Sequence, residues 1–277
     1  MTTLAHISDL HFGTTLPELL EALRADLNRQ KPDILVISGD FTQRAKKEEF
    51  LQAKAFIESL PQPQLLVPGN HDLPHWNLLE RFVKPLKRYR RYLTDELFPF
   101  VEAENCAVLG LNTARAGGFY ADWSKGRISD RQIGIVERSF ADVPAGKMKI
   151  VVTHHPFLVP DIAKDRGVIG NAHDALHAFA EIGVDLLLSG HLHLGFTGHA
   201  LTQHQIVERI LVIQAATATS TRLKSEPNAY NWITIDGNEI RLRKRVWRGQ
   251  QYCEDEEDRF KVAHMLDPRR RDKVEAR

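Results

Sequence analysis

The sequence predicts an α/β protein with a mixed sheet. Three observations carry the prediction: short continuous apolar runs at 34–37, 150–152 and 186–188, amphipathic stripes between such runs, and antiparallel strand patterning from residue 206 onward. Short β-branched and leucine runs followed by polar or glycine residues suit strands covered on both faces. Apolar residues at three- and four-residue spacing suit helices that lay one stripe on a sheet.

The run ending at Ile7 reads as the first strand. Leu16, Leu19, Leu20, Leu23 and Leu27 follow at helical spacing, 34–37 forms a second strand, and Phe50, Ala53, Phe56, Ile57 and Leu60 mark a second helix. A shorter strand at 65–67 leads to a charged stretch, 76–93, that reads as helix broken at Pro85 and as an excursion from the core. Strands at 107–111, 150–152 and 186–188, with helices at 132–140 and 172–182 between them, repeat the layered logic of the first half. Strands at 206–213, 231–235 and 240–247 complete the pattern, with Asp236-Gly237 as a hairpin turn and Arg241, Arg243 and Arg245 alternating as the wet face of an edge strand. Residues 1–252 are expected to form one domain. Residues 253–277, acidic and then basic, are expected to be a partly frayed tail.

Composition narrows the function classes. Of 277 residues, 43% are hydrophobic and 26% charged, as in an ordinary globular protein with a large core. The 37 basic residues nearly cancel the 36 acidic ones, and a net charge of +1 provides no global field for nucleic acid or anionic membrane. Cys106 and Cys253 stand alone, which excludes a disulfide framework and a thiolate zinc site. The first eight residues lack a secretory pattern and no apolar run reaches membrane-spanning length, so the expectation is a cytoplasmic protein with no membrane contact.

Five polar clusters stand where the apolar runs end: Asp9-Leu10-His11, Gly39-Asp40, Gly69-Asn70-His71-Asp72, Thr153-His154-His155-Pro156 and Gly190-His191-Leu192-His193. Strand ends are where open α/β sheets bind ligands. Asp9 and His11, like His191 and His193, are two apart, so in an extended segment both side chains of a pair point to one side. Carboxylate plus imidazole without thiolate suits divalent manganese, iron, zinc or cobalt.

In order and content these clusters resemble the calcineurin-like metallophosphoesterase family, over Asp9 to His193, and most closely its bacterial cyclic-nucleotide and glycerophosphodiester phosphodiesterases. The resemblance implies a four-layer α-β-β-α sandwich of two mixed sheets flanked by helices. It also implies two divalent ions (Mn2+, Fe2+/Fe3+, Zn2+ or Co2+), one held by Asp9, His11 and His193, the other by Asn70, His154 and His191, with Asp40 bridging. The family's His-x-Pro pattern favours His154 over His155 as the ligand. His155 then has two readings, facing substrate or hydrogen-bonding behind the ligands. His71 corresponds to a non-ligand histidine that acts as general acid or phosphoryl donor. Asp72 corresponds to its carboxylate partner, with a helix cap as the plainer reading. Arg115, in a loop after a strand, reads either as an anion clamp or as an exposed turn.

The reaction so implied is attack of metal-bound hydroxide on a small phosphodiester, with 3',5'-cyclic AMP or another cyclic nucleotide as the candidate. A nuclease or phosphomonoesterase of the same family is the alternative, and a scaffold without metal chemistry is a third reading that the full ligand set opposes. Nucleic acid is not the expected partner, and the oligomeric state is left open.

Overall fold

The computed structural model describes residues 1–117, 124–199, 210–223 and 226–262. The beginning of the strand expected from residue 206, and the tail from residue 263 onward, lie outside the described residues. One six-stranded sheet joins β1 (Thr2–Ile7), β2 (Ile34–Ile37) and β3 (Gln64–Leu66) in parallel, and continues antiparallel from β1 through β10 (Ala229–Asp236), β11 (Glu239–Trp247) and β12 (Tyr252–Lys261). The second has β5 (Cys106–Gly110), β6 (Met148–Val152), β7 (Leu186–Ser189) and β9 (Leu211–Gln214) in parallel, with β4 (Phe100–Glu102) and β8 (Phe196–His199) antiparallel at its edges.

Alternation along each strand builds the layers. In β1 and β2, Leu4, Ile34 and Val36 join Val108, Ile150 and Leu186 of the other sheet in one core. Ala5, Ile7, Leu35 and Ile37 point the other way, into a core shared with α1 (Pro17–Gln30) and α2 (Lys47–Glu58). The second sheet does the same with α5 (Asp130–Phe140) and α6 (Ala172–Ile182). Both faces of the central strands are therefore buried, which is why those strands are apolar throughout; each buried Leu, Ile or Val contributes about 1.5–3 kcal/mol. The result is the expected α-β-β-α sandwich of two mixed sheets.

The excursion consists of two short helices, α3 (Leu78–Val83) and α4 (Lys87–Tyr92), separated at Pro85. α4 returns to the body, where Tyr89 packs on Phe41 and Tyr92 stacks on Phe50.

The C-terminal edge departs from expectation. Residues placed in a frayed tail begin as strand β12, so β11 is an interior strand and not the edge. Cross-strand charge explains the extension: Arg243 pairs with Glu254 and Glu257, and Arg245 with Glu254. Arg245 is buried, with Nε and one terminal nitrogen 2.6 and 2.8 Å from the Asp26 carboxylate, to which Tyr230 also donates at 2.6 Å.

Candidate metal centre

All five clusters lie just past strand ends, after Ile7, Ile37, Leu66, Val152 and Ser189. The side chains converge, but not by the pleat that the two-residue spacing suggested. Asp9, His11, Asp40, His191 and His193 have φ of 54°, 50°, 53°, 75° and 59°, in the left-handed region that is uncommon outside glycine, although asparagine, aspartate and histidine enter it more readily than other residues. The pairs share a side because the backbone turns, with strand geometry already finished. Such strain persists only where the surroundings over-determine it. Here Thr217 and Thr219 donate side-chain hydrogen bonds to the carbonyls of Asp9 and Leu10, the Ala218 N–H donates to the Ser8 carbonyl, and the His191 N–H donates to Asp9 Oδ2. Close approach also demands glycine: a Cβ on Gly69 would collide with the Asp40 carboxylate, and one on Gly190 with Ser8 and Asp9.

The donors form two adjoining groups. In the first, Asp9 Oδ1 lies 3.3 Å from His193 Nε2 and 3.6 Å from His11 Nε2, and the two imidazole nitrogens are 3.0 Å apart. In the second, His154 Nε2 lies 3.2 Å from both Asn70 Oδ1 and His191 Nδ1. Asp40 sits between them, with Oδ2 3.6 Å from His11 Nε2 and 3.3 Å from His154 Nε2.

Second partners fix which nitrogens face inward. His193 donates Nδ1–H to the Arg222 carbonyl at 3.0 Å and His154 donates Nδ1–H to the Ser38 carbonyl at 2.8 Å, leaving each Nε2 lone pair toward the cluster. Burial opposes ionisation of Asp9 and Asp40, yet the surrounding histidines outweigh it and hold both carboxyls well below the usual carboxylate range. Burial and the neighbouring His154 push His191 down to about 3.

Asp9 Oδ1 is fully buried and accepts no hydrogen bond, which is costly unless a cation completes it. Imidazole nitrogens that face one another at 3.0 and 3.2 Å can also turn their lone pairs to a shared cation. The donor set therefore fits divalent cations of borderline hardness.

Other expected residues separate into those that join the site and those that do not. His71 borders it: its N–H donates to Asp40 Oδ1 at 2.8 Å and its Nδ1–H to the Gln43 carbonyl at 2.8 Å. Among the described residues no hydrogen bond joins its ring to Asp72. Its Oδ1 accepts from Thr42 N–H and hydroxyl and its Oδ2 from Gly69 N–H, so it ties the loops after β2 and β3 together, closer to the capping reading. Burial first, and then the Asp40 charge, push its pKa up to about 7.

His155 packs beside the ligand histidines. It is buried against His154 and His191, with Nδ1 2.7 Å from the Thr113 hydroxyl. The Arg115 carbonyl accepts from Arg81, and among the described residues no contact links its guanidinium to the cluster. Arg222 has the stronger position, with a terminal nitrogen 3.4 Å from both His71 Nε2 and Gln43 Oε1. Its signal in the sequence was only its place after a strand of the second half.

The family model for calcineurin-like phosphoesterases matches residues 2–195. The chain belongs to that family. It is 30% identical over 171 residues to the glycerophosphodiester phosphodiesterase of Enterobacter lignolyticus, covering 55% of this chain and 56% of that phosphoesterase. With the 3',5'-cyclic adenosine monophosphate phosphodiesterase of Escherichia coli K12 it shares 26% over 179 residues, 63% of this chain and 58% of the relative. The chain thus spans little more than half the length of these two phosphoesterases. The solved purple acid phosphatase of yellow lupin has the same fold, with a TM-score of 0.70 over 94% of this chain and 53% of that one, at 13% identity.

Proposed function

We propose that the chain is a binuclear-metal-dependent phosphodiesterase acting on a small phosphodiester, with a cyclic nucleotide such as 3',5'-cyclic AMP as the first candidate. One observation carries the reading: a single carboxylate oxygen, Asp40 Oδ2, stands within 3.6 Å of one donor group and 3.3 Å of the other. Asp9, His11 and His193 would hold one ion and Asn70, His154 and His191 the second, with Asp40 shared. When bound, such a pair acidifies water and offsets phosphoryl charge.

The chain's own residues supply the rest. The Gln43 carbonyl accepts a hydrogen bond from His71 Nδ1–H, which orients the ring and leaves Nε2 as the atom toward the substrate side. A proton carried at Nε2 would pass to the leaving oxygen. Arg222, beside Nε2, presents a fixed positive charge to the phosphoryl oxygens. Phosphodiesterase names among the relatives support the diester class.

The test is elemental analysis of metal-supplemented protein, followed by a panel of cyclic nucleotides, glycerophosphodiesters, monoesters and single-stranded DNA. About two ions per chain and turnover highest on a small diester are expected. Absence of bound metal, or turnover confined to monoesters or DNA, would overturn the proposal.

A further inference from the structure

The excursion that follows the His71 loop presents exposed apolar side chains. Trp76, Leu79, Phe82 and Val83 are 75%, 76%, 54% and 63% exposed, four large apolar side chains within eight residues. Scattered exposed leucines are ordinary, but a contiguous patch of this kind marks a contact surface. The underside of α3 is firmly held. Arg81 is buried and donates to the carbonyls of Pro74, Ala116 and Arg115, and Arg88 of α4 pairs with Glu80.

A basic concavity of about 370 Å³ adjoins the patch across Glu80. Five basic side chains line it against two acidic ones, and among the described residues Lys47, Lys87 and Arg91 have no carboxylate partner. Apolar side chains with an exposed tryptophan, next to unpaired basic residues, are the two signals that peripheral attachment to an anionic lipid surface requires. A second copy of the chain fits less well, because a two-fold contact through this patch would bring two basic concavities together.

We infer that α3 and α4 form a docking surface for an anionic lipid bilayer, with Trp76, Leu79, Phe82 and Val83 entering the headgroup boundary and Lys47, Lys87 and Arg91 facing lipid phosphates. The attachment is peripheral, since no helix among the described residues is long and apolar enough to cross a membrane. It departs from the expectation of no membrane contact, which rested on overall charge and the lack of a long apolar run. A local surface of a dozen residues leaves no mark on either quantity. Because α3 starts a few residues after His71, docking would hold the metal centre near the lipid surface.

The experiment is co-sedimentation of the full chain with vesicles of phosphatidylcholine alone or with added phosphatidylglycerol. Binding to the anionic vesicles only, weakening as salt rises, is expected. Lys87→Gln with Arg91→Gln should weaken it about 25-fold, each charge near an anionic surface being worth about fivefold. Leu79→Ser with Val83→Ser should weaken it about tenfold or more through lost apolar burial. These positions are exposed, and none belongs to the proposed catalytic machinery. Absence of binding to anionic vesicles at low salt overturns the inference, as does equal binding by both double variants. A dimer in sedimentation velocity that Leu79→Asp converts to monomer, with no vesicle binding, assigns the patch to self-association instead. The readout is binding, so it stands or falls apart from the phosphodiesterase reading.

Discussion

Two buried ionic clusters lie in the same molecule and are built on opposite principles. Around Asp26, two Arg245 nitrogens and the Tyr230 hydroxyl occupy the carboxylate, and Arg245 also reaches the Tyr252 carbonyl. Around Asp9 and Asp40, buried carboxylates face histidine nitrogens, one oxygen has no hydrogen bond, and imidazoles meet imidazoles. A buried charge that holds a fold is completed by the chain, as at Asp26. A buried charge kept incomplete leaves room for something the chain does not encode, and charge completion is the criterion that separates the two clusters.

The contrast breaks most visibly at Asp40. Asp40→Asn should lower kcat/KM on a small phosphodiester by about a thousandfold, the several kcal/mol of charge stabilisation that a metal pair supplies. Thermal unfolding in chelator should barely change; near-normal turnover would disprove the shared-ligand assignment. Asp26→Ala should do the reverse, costing about 3–5 kcal/mol in denaturant unfolding because it strands Arg245 in the interior. Activity per folded molecule should remain, and a loss below about 1 kcal/mol would mean that the pair is screened like a surface ion pair.

Smaller effects sharpen the picture at the rim of the open cluster. His71→Ala should retain metal by elemental analysis and lose about a hundredfold in rate, more for poor leaving groups than for good ones. Equal losses on both would leave His71 an electrostatic role alone. Arg222→Ala should raise KM about tenfold with a lesser change in kcat, the size of one charged hydrogen bond. An unchanged KM would place the guanidinium outside the substrate's reach.

Much of the fold and of the donor set was legible because each rests on residue identity at fixed places. Runs such as Ile34 to Ile37 are apolar throughout because both faces are covered, and Asp9, Asp40, His154 and His193 stand immediately beyond such runs. What escaped had no side-chain signature. The acceptor of the His71 Nδ1–H is a main-chain carbonyl, at Gln43, that any residue could supply, whereas the family resemblance pointed to the carboxylate of Asp72. Strand β12 was hidden because Glu254, Asp255, Glu256, Glu257 and Asp258 have low strand propensity by themselves and find their reason in Arg243 and Arg245 across the ladder. Arg222 has no local signature because its value comes from a fold that brings residue 222 beside residue 71.

The left-handed backbone at Asp9, His11, Asp40, His191 and His193 has a consequence for anyone wishing to transplant this centre. Each such conformation costs about 1–2 kcal/mol, and together they are a load that a short peptide or a regular helix bundle would shed by relaxing. Copying the side chains onto another scaffold would therefore deliver the right chemistry to the wrong places. The portable unit is the bent main chain together with the threonines that clamp it.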